Sequence, residues 1–353
     1  MLSVTRNCVY LSRIYNLQAM CLRFTMKFII VAFVCIIGIN ALSEKEQWLT
    51  FKQNHGKNYK NIAEENYRFS VFQNNLRQIS EHNERYTNGE TTYFLGVNKF
   101  ADRTSDEFRG MLKSQKINLL NSEDAKLNKL SKTVEAAEAP VDWRSKGVVL
   151  PVRDQGDCGG SWPFAVAASI ESQNVIINNV TEQLSTQQFI DCYGPQVDKC
   201  NITGDILNGF DYAQDYRLLP ESEYPYVGAQ SVCTADTNKG IVRAYSVFVA
   251  QSSEAILQAY IGKYGPMAST INADCIQLYA GGIFSNSSCP NTINDINFAL
   301  LNVGYDTSSD GIEYWILKNS WGTGWGEEGY LRLKKGDKEL GINLRNGLPF
   351  IYR

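Results

Sequence analysis

The run from Trp162 to Ile170, Trp-Pro-Phe-Ala-Val-Ala-Ala-Ser-Ile, is apolar and Ala-rich, and a Gly-rich turn (Gly156, Gly159, Gly160) leads into it. A helix without a polar face has to be enclosed by other elements. The stretch therefore predicts a long central helix, 161–177, in a fold large enough to wrap it, and 353 residues suffice for two or three domains. Ser161 stands at the entry. A helix N-terminus carries unpaired N–H groups and about half a positive charge, which would stabilise an anionic nucleophile there. Pro163 suits the first helical turn. The plain alternative is that Ser161 is only an N-cap.

The flanks favour chemistry. Gln155-Gly156-Asp157-Cys158-Gly159-Gly160-Ser161-Trp162-Pro163-Phe164 resembles the nucleophile loop of the papain-like cysteine proteases, the cathepsin L group in particular. The resemblance implies that Gln155 helps form an oxyanion hole, that Cys158 is a structural half-cystine, and that Ser161 stands where the family has its catalytic Cys. Acyl transfer also needs a base and a group to orient it. The family's base is a His in a stretch similar to Asn297-Phe298-Ala299-Leu300-Leu301-Asn302-Val303-Gly304-Tyr305, and the matching position is Phe298. The orienting Asn is retained as Asn319, within Lys318-Asn319-Ser320-Trp321-Gly322-Thr323-Gly324-Trp325-Gly326. No other alignment supplies the missing His. The chain has two, His55 and His82, and both precede residue 139. Without a base Ser161 is a neutral alcohol and a poor nucleophile. Lys318 is the nearest candidate for a substitute base, as in Ser-Lys enzymes. Phe298 also adds apolar surface to the expected cleft wall, where an exposed ring would invite an apolar partner.

The N-terminal part carries two further motifs. Glu64, Arg68, Phe72, Asn75, Ile79 and Asn83 recur at spacings of three and four and share one helical face. They match the Glu-Arg-Phe-Asn-Ile-Asn pattern of cathepsin L-type prodomains. Gly96, Asn98, Phe100 and Asp102 match the second prodomain motif, Gly-x-Asn-x-Phe-x-Asp. Residues 48–51 and 64–86 read as helices. Upstream, Phe28 to Leu42 is an apolar run after Met26-Lys27. It reads as a signal-peptide core with cleavage near Ala41, preceded by an extension, 1–25; a signal anchor is the alternative. The expected domains are then 1–41, extension and signal peptide; 42–112, helical inhibitor prodomain; 113–138, a polar propeptide linker; and 139–353, a peptidase-homologue domain.

Six Cys follow the signal region, and in an exported chain they imply disulfides. The resemblance pairs Cys158 with Cys200 and Cys192 with Cys233. The family's third bridge lacks its C-terminal partner, since that position reads Leu340-Gly341-Ile342. Cys275–Cys289 is then expected, the rival being two reduced or intermolecular thiols. Asn179, Asn201 and Asn286 lie in Asn-x-Ser/Thr sequons, which suit export and glycosylation. Cys200-Asn201-Ile202-Thr203-Gly204-Asp205 replaces a Gly-rich, substrate-pairing segment of the family. Side chains there either crowd the groove or form a neutral loop insertion.

Charge is uneven. Residues 1–137 hold 19 Lys+Arg against 13 Asp+Glu, and 138–353 hold 15 against 24. No basic cluster suggests nucleic acid. Strand-like runs at 246–250, 298–305, 314–318 and 329–334 follow the helical first half. The expected fold is α+β: a papain-like two-lobe fold, one helical and one β-barrel-like lobe with a cleft between, preceded by a helical inhibitory prodomain. The expected function is that of a secreted or lysosomal cathepsin L-like homologue, inactive, with a binding, decoy or storage role; the alternative is a working cysteine- or serine-type endopeptidase. Expected partners are its own prodomain and a peptide or protease inhibitor in the cleft. No metal, cofactor, nucleic acid, or membrane after signal cleavage is expected.

Overall fold

The computed structural model describes residues 42–112, 139–194, 200, 205–250 and 252–352. The signal region 1–41, the linker 113–138 and the sequon Asn201 lie outside the described residues. The chain divides into two units, Met1–Lys57 and Asn58–Arg353. The first holds α1 (Glu44–Asn54), which starts with a capping box. Glu46 N–H bonds the Ser43 hydroxyl while the Glu46 carboxylate takes the Ser43 N–H.

The second unit begins with α2 (Ile62–Thr87), capped by the Asn61 side chain on Glu64 N–H. Strand β1 (Tyr93–Leu95) and α3 (Ser105–Leu112) follow. After β2 (Val141–Asp142) come α4 (Ser161–Asn178), α5 (Thr186–Cys192) and α6 (Ile206–Asp215). The C-terminal half is β3 (Ala244–Ala250), α7 (Glu254–Tyr264), β4 (Met267–Ile271), β5 (Tyr279–Phe284), β6 (Phe298–Thr307), β7 (Glu313–Lys318), β8 (Tyr330–Lys334) and β9 (Arg345–Ile351). Helix α5 begins at Thr186 because the Ser185 hydroxyl caps Gln188 N–H. Helix α7 carries no marker that stood out among the β-branched runs.

The strands form one sheet in the order β1-β5-β8-β7-β6-β4-β9-β3, with β2 paired to β6. Every residue of α4 from Ser161 to Asn174 is buried, the apolar run 162–170 as it requires and, beyond it, the polar Glu171, Ser172, Gln173 and Asn174 as well. One apolar core, with Trp162, Phe189 and Phe210, surrounds α4, α5 and α6. A larger one, with Trp315, Trp321, Trp325 and Phe298, lies against the sheet. Helix α4 contacts both the helices and strands β6, β4 and β9. The mixed α+β architecture expected from the sequence is thus present. Disulfides join Cys158 to Cys200, Cys192 to Cys233 and Cys275 to Cys289, with Cα atoms 4.5, 4.8 and 6.3 Å apart.

Candidate active site

Residues 153–155 and 319–322 are stitched together by backbone bonds. Gln155 N–H donates to Ser320 C=O (2.8 Å), Gly322 N–H to Arg153 C=O (3.1 Å), and Asp154 bridges to Trp321. This brings Gln155, Asn319 and the start of α4 into one buried locus. The entry to α4 needs its glycines. Gly156 has φ +59°, a backbone that favours glycine. Gly160 is the N-cap, with no side-chain cap bond. Ser161 is therefore the first helical residue and not the cap that the plain reading offered.

Ser161 is 2% exposed, and its Oγ accepts a hydrogen bond from Ala299 N–H at 3.0 Å. Its own N–H donates to Gly159 C=O (3.2 Å). The Gln155 amide is engaged at both ends: Nε2 donates to Cys158 C=O (2.8 Å) and Oε1 accepts from the Ser320 hydroxyl (2.6 Å). The groups that could greet an oxyanion thus already serve the loop. Asn319 Oδ1 accepts from Ser320 N–H (2.7 Å), and its Nδ2 is buried without a hydrogen bond.

Phe298 opens β6, paired with Ile271 of β4. The expectation of an exposed ring is corrected: Phe298 is 1% exposed and packs on Trp321 with centroids 4.7 Å apart. Trp321 is the hub of an aromatic cluster with Trp325 (4.8 Å), Phe100 (5.1 Å) and Phe108 (5.5 Å). A ring at 298 thus completes the packing and leaves no apolar face to recruit a partner. Lys318, the candidate substitute base, makes no hydrogen bond to Ser161. It is 5% exposed, and burial pushes its ammonium down to about 8, Glu171 opposing and Arg153 adding to the shift.

Asp205 does not stand free in the groove. It caps α6 on Leu207 N–H (3.2 Å) and takes Arg345 Nε (2.9 Å) and Nη2 in a two-pronged pair. No sequence signal pointed to Arg345. The rest of the inserted loop, 201–204, lies outside the described residues. Asn179 is the αL cap of α4, and Asn286 accepts from Ser288 N–H.

The prodomain residues form their own network. Asn75 Nδ2 donates to the carbonyls of Ala101 (2.8 Å) and Arg103 (3.0 Å), and the Asn83 amide both donates to and accepts from the Leu95 backbone. Arg68 pairs with Glu107 (2.8 Å), Glu64 accepts Lys60 N–H, and Tyr59 donates to Asp102. Phe72 and Ile79 are buried beside them. A helix face with Asn and Arg at apolar spacings is thus explained: it holds an irregular loop by its backbone. That loop in turn grips residues 277–283. Gly96 N–H donates to Leu278 C=O, and a Cβ on Gly96 would lie 2.9 Å from Ala280 Cβ. Asn98 donates to Gln277 C=O (2.9 Å), and Gln277 Nε2 returns bonds to Phe100 and Arg103. Ion pairs Lys99–Asp154 (2.5 Å) and Arg103–Asp157 (2.7 Å) reach the loop before Ser161.

A model of the papain family cysteine protease matches residues 137–349, and a model of the cathepsin propeptide inhibitor domain (I29) matches 48–108. The chain is 41% identical to a cathepsin L-like proteinase of Phaedon cochleariae over 331 residues, 92% of this chain and 100% of that protein. It is 34% identical to digestive cysteine proteinase 3 of Homarus americanus, over 91% of this chain and 99% of that one. The structure of digestive procathepsin L 3 of Tenebrio molitor larval midgut superimposes with a TM-score of 0.76 at 34% identity, covering 87% of this chain and 99% of that one.

Proposed function

This chain belongs to the papain family of cysteine proteases, with cathepsin L-like relatives, and we propose that it is an inactive member that binds peptides or protease inhibitors without cleaving them. The observation that carries the reading is the Ser161 hydroxyl: it accepts Ala299 N–H, beside a phenylalanine at the position of the family's base, in a region without His. An alcohol with no base within reach keeps its proton. The reading places Gln155, Ser161, Phe298 and Asn319 at the family's site positions without catalytic roles. It divides the chain into signal region 1–41, prodomain 42–112, linker 113–138 and homologue domain 139–353. It sends the protein through the secretory pathway to the outside or to a lysosome, with glycans on Asn179, Asn201 and Asn286, and gives it its own prodomain as first partner.

The test is hydrolysis of a fluorogenic dipeptide by the trimmed chain. No turnover is expected, nor from Ser161→Cys alone, because the thiol still lacks a base. Ser161→Cys with Phe298→His should give measurable turnover. Hydrolysis by the unmodified protein, abolished by Ser161→Ala, would establish the alternative, a working endopeptidase. Maturation gives a second check. An inactive proprotein incubated alone at about pH 4, near ordinary carboxylate values, stays full length and is cut near Ala139 only by an added protease. Spontaneous, concentration-dependent trimming would overturn the proposal.

A further inference from the structure

The prodomain's strand and the loop after it are held on one short stretch of the chain. Tyr93, Phe94 and Leu95 of β1 pair with Gly282, Gly281 and Tyr279 of β5. Ile283 N–H donates to Thr92 C=O (2.8 Å), Gly96 N–H to Leu278 C=O (2.9 Å) and Asn98 Nδ2 to Gln277 C=O (2.9 Å). All of these partners lie between Cys275 and Cys289, which are 14 residues apart and joined to each other. The bridge therefore closes a ring that contains the docking seam. The other two bridges, Cys158–Cys200 and Cys192–Cys233, enclose none of these residues.

The seam has a physical need for such a closure. Close approach requires glycine here: a Cβ on Gly281 would lie 2.5 Å from the Phe94 ring, and one on Gly282 2.5 Å from the Thr92 oxygen. Glycine loses more conformational freedom than any other residue when it is ordered. Ile276, Tyr279 and Phe284 anchor the ring in the core, and the glycine pair lies between those anchors. The sheet adds little order. β5 meets β8 through two residue pairs, Ile283–Arg332 and Phe284–Leu333, and Glu327 accepts the Gly282 N–H (3.0 Å). At the neck of the ring Asn297 accepts the Ala273 N–H (2.9 Å) and donates to Asp274 (2.7 Å), while Asn272 donates to Pro290 C=O (2.9 Å). Those bonds can open to water, whereas the bridge cannot. A cross-link acts mainly by removing states from the open ensemble, and a partner that meets an already ordered segment has less entropy to overcome. We propose that the Cys275–Cys289 bridge preorganises the docking seam: it holds residues 277–283 ready for β1, so that the strength of prodomain docking depends on the bridge being closed.

The test starts from the full chain, nicked in the linker by an added protease, so the result does not depend on any activity of Ser161. Release of the prodomain is followed on dilution, and near-ultraviolet circular dichroism reports whether the remaining domain stays folded. In the variant carrying both Cys275→Ser and Cys289→Ser, release should be about tenfold faster with the fold intact. That is less than the roughly hundredfold which a ring of this length would give with nothing else closing it. Equal release rates with the fold intact would overturn the proposal. Should the variant not fold, the open state is reached from the folded side. Dithiothreitol's two thiols become a cyclic disulfide as the bridge takes up their two hydrogens and becomes two thiols, which iodoacetamide then traps. Molecules alkylated at Cys275 and Cys289, with the other two bridges intact, should release the prodomain faster than untreated ones. Equal rates there would likewise overturn the proposal.

Discussion

The prodomain contact and the pocket around Ser161 share one side chain, Trp321, and differ in how they use their polar groups. On the prodomain side Asn75, Asn83, Asn98 and Gln277 are buried or half-buried, and each is bonded to backbone. On the other side Asn319 Nδ2 finds no acceptor, and the hydroxyl of Ser161 is occupied by a backbone N–H. Phe100 and Phe108 meet Trp321 from the first region, and Phe298 meets it from the second. The lesson is that docking and chemistry are separable demands on one surface. Docking needs satisfied amides and filled volume, and both are present. Chemistry, on the proposed reading, needs a base beside Ser161, whereas the ring at 298 is spent on packing against Trp321.

Substituting the shared residue should have the largest effect. Trp321→Ala removes the hub of both regions and is expected to cost about 3–5 kcal/mol, read as a lower denaturant midpoint. If the two regions were energetically independent, Phe108→Ala and Phe298→Ala would add. We expect a double-mutant cycle to show coupling of at least about 0.5 kcal/mol through Trp321.

Lys318 supplies the pH arm of the comparison. Its folded-state value of about 8 lies below its ordinary 10.5, so the unfolded chain binds more protons between the two. Stability should rise with pH from about 8 to 10.5 and level off above. Lys318→Met should lack that rise. A flat profile in the unmodified protein would mean that Lys318 is solvated after all.

A smaller effect is expected for Gln277→Ala, which removes one donor from each of two prodomain carbonyls and leaves Arg103 C=O to Asn75 and Phe100 C=O to Arg103 N–H. About 1–3 kcal/mol of prodomain affinity should be lost, measured as faster release after the linker is cut. Ser161→Ala is the mildest. It leaves Ala299 N–H buried without an acceptor and should cost about 1 kcal/mol of stability, with no change in peptide hydrolysis. A drop in hydrolysis would shift the comparison towards the working-enzyme reading.

Much of this was legible in the chain itself. The all-apolar run after Gly160 could only be a wrapped helix. The spacing from Glu64 to Asn83 could only be one helical face. Its Asn residues announced a non-hydrophobic role, although the carbonyls they serve come from a loop 12 to 28 residues further on. Phe298 was legible as a residue and misread as a surface: whether a ring on a strand faces solvent depends on Trp321, which the strand's own sequence does not mention. The Arg345–Asp205 pair left no local trace, since its members are 140 residues apart. Ser161 looked like a cap because Ser favours caps; Gly160 took that place, and a first-turn Ser can then reach a neighbouring strand.

The prodomain's strand β1 is three residues long and pairs antiparallel with β5, where Gly282 at φ +85° lets Thr92 approach so closely that a Cβ would lie 2.5 Å from the Thr92 oxygen. Ladder bonds are made by backbone alone, so any extended segment can imitate this strand. What an imitator cannot bring is Asn98 on Gln277 or the rings against Trp321. The seam therefore acts as a generic docking slot flanked by a private lock. A foreign strand could displace β1 only at the expense of the lock, and a chain with the lock weakened should exchange this strand with its neighbours.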